Sequence, residues 1–521
     1  MAPNRNLYLA ATIACLTGAL FGYSVGFIGG VLVLPSFLDH FRLSDLPAQE
    51  VASAQSRIVS SWLIGCVIGV PLSVPVCSKY GRKVCIAGCA ALYVLGAILQ
   101  AIEVESDAAL ALFQVGRLIN GVAVGAGTLV SPVYISEISP PSERGMLMSG
   151  YQTAIQIFAL IGFWGAFVCH STIQDSSNLQ WQLPVLVQLV PGLGLLLGSL
   201  AVLPESPRWL IGKDKVGSAR KALSWLRMLD EDSAEVRAEL LQIERVISAN
   251  NSTPTPESKR SFFHQSITPP LRKRMLVGSL IMVFQNLVGL NALNYFSPII
   301  FMSAGFTSVS ASLFLTGVFG VVKLVTAILF MFVFVRIRGN RFWLLLGSAI
   351  MGVAMFLLAL CIAEMPAASS SQPSSLNVLG VVSVLMVYIF AFAFGVSLGP
   401  ISWNVCAEIF PSHINTKACA VTTSIQWLSQ ILIASITPPL IARIGYGTYI
   451  FYGVCCVLAF GFCAIFVPET RGVALGPDMD RVFGDSPKED AAVTVDEIED
   501  VSETTPLMAK RRRRSSVALV V

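Results

Sequence analysis

Long apolar stretches separated by short polar segments dominate this chain of 521 residues. A helix needs about 20 mostly apolar residues to cross the hydrocarbon layer of a membrane. Twelve stretches reach that length, near residues 8–34, 57–77, 84–102, 111–133, 147–169, 183–203, 275–300, 310–334, 342–363, 377–402, 417–440 and 447–467. The pattern therefore predicts an all-α membrane protein with twelve transmembrane helices.

Two polar segments divide the chain further. Residues 204–274 separate two hydrophobic halves, and amphipathic patterns at 218–229 and 234–247 predict a short helical domain there. From Gly484 onward the chain is acidic, then Ser/Thr-containing, then basic, without apolar periodicity, which predicts a disordered tail. The predicted units are a six-helix bundle (1–203), a helical linker domain (204–274), a second six-helix bundle (275–470) and the tail (471–521).

Basic loop residues predict the orientation in the membrane, because Lys and Arg favour the cytoplasmic side. Lys79, Lys83, Arg336 and Arg338 lie in alternate loops, whereas the opposite loops contain few basic residues. Both termini and the linker domain are therefore predicted to be cytoplasmic. The plasma membrane is the expected location, with an endosomal or vacuolar membrane as the alternative.

The composition supports a membrane setting and excludes several classes of function. The chain is 54% hydrophobic and 13% charged, whereas soluble proteins carry about 25% charged residues. The net charge is only +4, and the dense basic run at 510–514 lies in the tail, so no nucleic-acid partner is expected. The twelve cysteines lie mostly in apolar stretches without metal-ligand spacing, so neither a metal nor another cofactor is expected.

Three short motifs occur twice, about half the chain length apart. Ser-Glu-Ile-Ser-Pro at 136–140 is repeated as Ala-Glu-Ile-Phe-Pro at 407–411, and Pro-Glu-Ser at 204–206 as Pro-Glu-Thr at 468–470. Gly-Arg-Lys at 81–83 is repeated as Gly-Asn-Arg at 339–341. A parallel repeat of two six-helix bundles is typical of transporters that bind their solute between the bundles.

The order and spacing of further motifs resemble the sugar porters of the major facilitator superfamily. The motifs are Phe21-Gly22-Tyr23, Gly116-Arg117, residues 134–145, Pro204-Glu205-Ser206-Pro207-Arg208-Trp209, Gly399-Pro400-Ile401, Glu408-Ile409-Phe410-Pro411 and Pro468-Glu469-Thr470-Arg471-Gly472. The run Gly320-Val321-Val322-Lys323 is similar to fungal members. The resemblance implies the major facilitator fold and a secondary transporter that works by alternating access, not an enzyme.

A sugar or polyol-like solute that leaves water needs uncharged hydrogen-bonding groups and aromatic faces. Amide and aromatic side chains lie at suitable depths in the predicted helices, and several match sugar-contacting positions of the family. The candidate solute site comprises Phe21, Gln152, Gln156, Gln285, Asn286, Asn291, Asn294, Trp403, Gln426 and Trp427. Intramembrane amides also bridge helices in many membrane proteins, which is the alternative interpretation. The solute remains open among hexose, pentose, polyol and quinate-like molecules, and the protein is expected to function as a monomer.

Charged side chains in or near the membrane form a second candidate set, because they should face the protein interior and pair. The resemblance implies a charge network that latches the bundles, and the coupling or gating candidates are Ser24, Arg82, Arg117, Glu137, Arg144, Glu205, Lys323, Glu408, Lys417, Glu469 and Arg471. Proton-coupled relatives have an aspartate where this chain has Ser24. Serine does not titrate near neutral pH, so facilitated diffusion is favoured. A proton symporter, an exporter of a specialised metabolite and a non-transporting nutrient sensor are the alternatives.

Overall fold

The computed structural model describes residues 4–32, 34–104, 108–174, 176–252, 269–294, 301, 309–364, 378–411, 414–471, 479 and 483. Residues 484–521, which make up most of the predicted tail, lie outside these residues. Within the described part, twelve helical segments are long and apolar enough to span a membrane. In chain order, spans 1 to 12 are Arg5–Val31, Arg57–Tyr80, Arg82–Ala101, Ala109–Ile138, Arg144–Cys169, Leu179–Ala201, Leu271–Asn294, Gly317–Ile337, Asn340–Ala363, Val378–Glu408, Asn415–Thr437 and Gly447–Phe466. The predicted all-α fold with twelve spans is confirmed.

Several spans are parts of longer helices or are interrupted. Spans 2, 5 and 11 belong to the helices Ala48–Tyr80, Arg144–Thr172 and Asn415–Ile444. Span 6 comprises Leu179–Val187 and Leu189–Ala201, and span 10 comprises Val378–Gly395 and Leu398–Glu408. Span 7 follows Pro269–Leu287 with a further turn at 290–294, and span 8 joins Val309–Leu329, the π-helix Phe330–Phe334 and Val335–Ile337. Shorter helices outside the spans are Pro35–His40, Pro207–Gly212, Val216–Arg227 and Ala234–Ser252.

The outer surface of the spans is apolar. Val190, Leu197 and Ile465 are 69%, 65% and 75% exposed, respectively. In water such large exposed apolar side chains would favour aggregation, whereas lipid tails solvate them. The exterior therefore fits the bilayer as its solvent.

The two halves of the chain repeat the same helix pairs. Span 1 packs on span 5 as span 7 packs on span 11, and span 3 packs on spans 4 and 6 as span 9 packs on spans 10 and 12. The halves meet where span 2 packs on span 11 and span 5 packs on span 8. This arrangement leaves the inner faces of spans 1, 5, 7, 8, 10 and 11 at the interface between the halves.

Close helix packing depends on glycine at two positions that shape this interface. A Cβ on Gly22 would collide with the backbone of Ile155, and one on Gly125 would collide with that of Cys66. Because Gly22 lets span 1 approach span 5, Phe21 comes beside the inner face of span 5. Small residues commonly allow such contacts between membrane helices.

The linker helices form a small separate core at one end of the spans. Leu210, Leu223, Leu240 and Ile243 pack together there, and Arg227 donates a hydrogen bond of 2.7 Å to the Glu239 carboxylate. Helices Val216–Arg227 and Ala234–Ser252 occupy the segments in which the amphipathic pattern predicts them. We refer to this end of the molecule as the linker end.

Candidate solute site between the two halves

A cavity lies between the two halves. Its lining combines neutral amides, aromatic rings, small apolar side chains and one cation. The lining residues are Phe21, Gly22, Val25, Gln152, Ile155, Gln156, Ala159, Gln285, Asn286, Leu290, Asn291, Asn294, Lys323, Phe394, Trp403, Gln426 and Gln430. Nine of the ten residues that the sequence suggests for a solute site are among them, and Trp427 is the exception.

A break in span 7 sets the amide positions in the C-terminal half. The helix ends at Leu287, and Gly289 adopts φ +99, where a Cβ would meet the Tyr452 ring at 2.7 Å. A new turn begins at residue 290, so Asn291 can donate to the Asn286 side-chain oxygen at 2.8 Å. The break therefore brings two amides from successive turns to one wall of the cavity.

Asn286 is largely occupied by the protein itself. Its side-chain nitrogen donates to the carbonyl oxygens of Met282 (3.1 Å) and Gln426 (3.2 Å), and its oxygen accepts from Asn291. Only 2% of the residue is exposed. Asn286 thus joins span 7 to span 11 and orients Asn291. This is the helix-bridging role that amides have in many membrane proteins.

Two glutamines of the C-terminal half keep an oxygen for other partners. Gln285 Nε2 donates to the carbonyls of Leu398 (3.2 Å) and Gly399 (3.1 Å), and Gln426 Nε2 donates to Gln430 Oε1 (3.3 Å). Gln426 Oε1 is buried and accepts no hydrogen bond within the described part of the chain. An unpaired buried acceptor costs about 1–3 kcal/mol, so a hydroxyl donor in the cavity would relieve this cost.

The amides on the cavity wall of the N-terminal half are not hydrogen-bonded to other described groups. Gln152 and Gln156 lie one turn apart on span 5, and neither amide bonds to another described side chain or carbonyl. Phe21 lines the same cavity, and its ring stacks on that of Trp62 at 6.0 Å and lies 5.1 Å from that of Trp427. This wall thus offers two amides and an aromatic face.

The two predicted tryptophans differ in position. Trp403 lines the cavity, and its ring lies 6.2 Å from that of Tyr151 across the interface. Trp427 is fully buried beside the cavity, and its indole nitrogen donates to Thr128 Oγ1 of the other half at 3.2 Å. Trp427 therefore joins the halves and supports Phe21.

Lys323 and Gln430 also line the cavity. The sequence predicts a gating role for Lys323 and no role for Gln430. Lys323 Nζ donates to Asn294 Oδ1 at 3.0 Å and lies 5.5 Å from the centre of the Phe319 ring. Gln430 follows Gln426 by one helical turn, a spacing that could have identified it. The sequence predicts that Lys323 faces the protein interior, but it does not indicate that the side chain enters the solute cavity.

A neutral hydrogen-bonded cluster surrounds Ser24. Its hydroxyl donates to Asn120 Oδ1 at 3.0 Å and lies 3.0 Å from the Tyr93 hydroxyl. Arg117 donates to the Ser24 carbonyl at 3.4 Å, and its guanidinium lies 5.4 Å from the Trp62 ring. The two coupling candidates Ser24 and Arg117 are therefore in contact, and the side chains that hydrogen-bond to the Ser24 hydroxyl are neutral.

Charged residues at the linker end of the N-terminal half form a connected network. Arg82 Nη2 donates to Glu137 Oε1 at 2.8 Å and reaches Thr416 of the other half at 3.4 Å. Glu137 Oε2 accepts from the Ser206 hydroxyl at 2.5 Å. Glu205 accepts from the backbone nitrogens of Arg82 and Ser206, and burial raises the pKa of its carboxyl.

The corresponding part of the C-terminal half has fewer contacts. Glu469 accepts from the backbone nitrogens of Asn340 and Arg341, and Arg471 donates to the Arg336 carbonyl at 2.5 Å. No described group forms a hydrogen bond or ion pair with the Glu408 carboxylate.

Two further gating candidates are placed differently. Arg144, in the N-terminal half, is buried. Its guanidinium lies beyond ion-pair distance of the Glu408 carboxylate but close enough for electrostatic attraction between the two charges. Lys417 is exposed, so the structure does not bring it into the network.

Two six-span halves related by a repeat, with a polar cavity at their interface, define a transporter of the major facilitator fold. Residues 10–483 match the family model described as "Sugar (and other) transporter". The chain therefore belongs to the sugar transporter family, as the motifs predicted, and its relatives are transporters rather than enzymes.

The comparisons give relatives of two kinds. The chain is 32% identical to a probable quinate permease of Aspergillus flavus over 93% of this chain and 89% of that protein. It resembles the proton:xylose symporter XylE bound to 6-bromo-6-deoxy-D-glucose, with a TM-score of 0.79, 25% identity and coverage of 92% of this chain and 99% of that one. The TM-score is 0.69 for the partially occluded inward-open conformation of XylE from E. coli, with 25% identity and coverage of 90% and 100%.

Proposed function

We propose that this protein carries a polyhydroxylated small solute across a membrane by alternating access. The observation that carries the proposal is the cavity between the halves, where amides and aromatic rings from both halves converge. Amides bind hydroxyl groups without the desolvation cost of a full charge, and rings cover the C–H face of a solute. The named solutes of the relatives, quinate and xylose, are both small and hydroxylated.

The linker end is closed in this conformation. Arg82 reaches Thr416, and Gly145 packs against Val335, so both contacts join the two halves at that end. We infer from the basic loops that the linker end and both termini are cytoplasmic. We propose the plasma membrane as the location, with an endosomal or vacuolar membrane as the alternative.

Facilitated diffusion is the mode of transport that Ser24 supports. A proton coupled to transport needs a group that titrates as the halves rearrange, and the Ser24 hydroxyl does not titrate near neutral pH. Its partners Tyr93 and Asn120 are also neutral at that pH. Proton symport is the second candidate, because a structurally similar relative is a proton:xylose symporter.

Uptake of labelled quinate, xylose, glucose and inositol into proteoliposomes tests the proposal. At least one solute should enter, equilibrate without exceeding the external concentration, and be unaffected by a protonophore. Gln285→Ala and Trp403→Ala should each raise the KM about 5- to 100-fold, because each removes a buried contact worth about 1–3 kcal/mol.

Gln242→Ala is the matched control, since Gln242 is exposed on a linker helix. Unchanged kinetics in both cavity variants would contradict the assigned site. Accumulation that a protonophore abolishes would establish symport in place of facilitated diffusion.

A further inference from the structure

Lys323 places a positive charge inside the cavity. It lies on span 8, two turns from the start of that span, and its side chain forms part of the cavity wall beside Asn294. Span 8 packs on span 5, which carries Gln152 and Gln156. The ammonium group therefore shares the cavity with amides from both halves.

The charge has no acidic partner within the part of the chain that the structure describes. Neither Asp nor Glu is among the lining residues, and the hydrogen-bond partner of Nζ is the neutral oxygen of Asn294. An ammonium group carries three donors, so two remain for a ligand. Because an unpaired charge inside a membrane protein is costly, such residues commonly face a substrate pathway and pair with what passes through it.

We propose that Lys323 binds the carboxylate of a polyhydroxylated monocarboxylic acid, and that the neutral amides bind the hydroxyl groups of the same molecule. The proposal rests on the function proposed above and specifies the chemical class of the solute. A single cation matches one carboxylate. Gln426 Oε1, which accepts no bond within the described chain, and the side-chain oxygen of Gln285 are then left for hydroxyl groups.

Asn294 has a positioning role in this arrangement. It follows the break in span 7, and its oxygen holds the ammonium at 3.0 Å while leaving the cavity side of the nitrogen to a ligand. The Phe319 ring, 5.5 Å away, covers another side of the charge through its negative face. Both contacts direct the remaining donors of Lys323 without neutralising the charge.

Two pairs of solutes that differ mainly in charge test the proposal on the purified full chain in lipid nanodiscs. Binding of quinate is compared with that of its methyl ester, and binding of D-glucuronate with that of D-glucose. The acid of at least one pair should bind at least tenfold more tightly than its neutral partner. Lys323→Gln should reduce that preference by about 10- to 100-fold, because hydrogen bonds to charged groups are the strong ones.

Lys323→Arg keeps the charge and should retain a preference for the acid. Lys221→Gln removes an exposed lysine of the linker and should change neither affinity. The melting temperature of each variant separates a folding defect from a change in binding, since a purely structural lysine would lower stability without altering the acid-to-neutral ratio.

Preference for the neutral member of both pairs, or a ratio unaffected by Lys323→Gln, would overturn the role of Lys323 while leaving the proposed transport function intact. Failure of any hydroxylated solute to bind or enter would contradict both proposals.

Discussion

In the N-terminal half, Arg82 begins span 3 and donates at 2.8 Å to Glu137 at the end of span 4. In the C-terminal half, Asn340 begins span 9 at the repeated position and donates at 3.0 Å to the Thr470 hydroxyl instead. The amide is too short and is uncharged, so Glu408, the counterpart of Glu137, has no partner in its own half among the described residues.

This difference gives the two halves unequal roles in closing the linker end. The Arg82 and Glu137 pair is internal to one half and is extended by Ser206. Among the described residues, it reaches the other half through Thr416. Glu408 is 7% exposed and is attracted mainly by Arg144 across the interface. We therefore expect the N-terminal network to stabilise the fold of its own half. We expect the electrostatic energy of Glu408 to change with the distance between the halves.

Breaking the N-terminal pair should have the largest effect. Glu137→Gln leaves the buried Arg82 guanidinium without a counter-charge, and such changes cost about 3–5 kcal/mol. Glu408→Gln removes a carboxylate that forms no hydrogen bond or ion pair with a described group, and should cost much less. Thermal unfolding in nanodiscs measures both, with Glu235→Gln on the exposed linker surface as the control. Equal losses at Glu137 and Glu408 would show that the two halves are not different in this respect.

The next prediction concerns a feature that the halves share. Glu205 accepts from the backbone nitrogens that begin span 3, and Glu469 accepts from those that begin span 9. Glu205→Ala and Glu469→Ala should therefore have similar costs, about 0.5–2 kcal/mol each, as expected for loss of a helix cap.

Glutamine at either position should be milder than alanine, because it keeps an acceptor. At Glu205 the raised pKa also indicates that burial disfavours the charge that Glu205→Gln removes. Chemical denaturation of the four variants measures the costs. A large loss confined to one half would show that capping, and not only ion pairing, differs between the halves.

The smallest change in stability is expected when Asn340 is replaced by arginine, the residue at the corresponding position (Arg82) of the N-terminal half. Asn340→Arg should place a guanidinium near Glu408, but the gain is offset by desolvation and by the lost bond to Thr470, so the net effect should stay within about 1 kcal/mol. The informative quantity is the coupling with Glu408→Gln in a double-mutant cycle. Coupling of at least about 1 kcal/mol would indicate a new pair, whereas additive effects would show that position 340 does not determine the state of Glu408.

The fold and most of the candidate site follow from local properties of the sequence. The spans are predictable because a helix must supply about 20 apolar residues to cross the bilayer, and the repeat of Glu137 at Glu408 relates the two halves. Amides such as Gln152 and Gln285 are exceptional inside apolar helices, so their depth alone marks them as candidates. The ends of the spans follow less directly from the sequence. Span 10 extends beyond the predicted stretch 377–402 to Glu408, because the helix resumes after the interruption at 396–397.

Only the tertiary structure decides which way each side chain points. Lys323 faces the cavity because of how span 8 is rotated against spans 5 and 7, and Trp427 faces Thr128 because the halves meet there. The Asn286 side chain is hydrogen-bonded to the Gln426 carbonyl and to the Asn291 side chain, and therefore orients these groups. A helical sequence fixes which residues share a face, whereas the rotation of that face depends on packing between segments far apart in the chain.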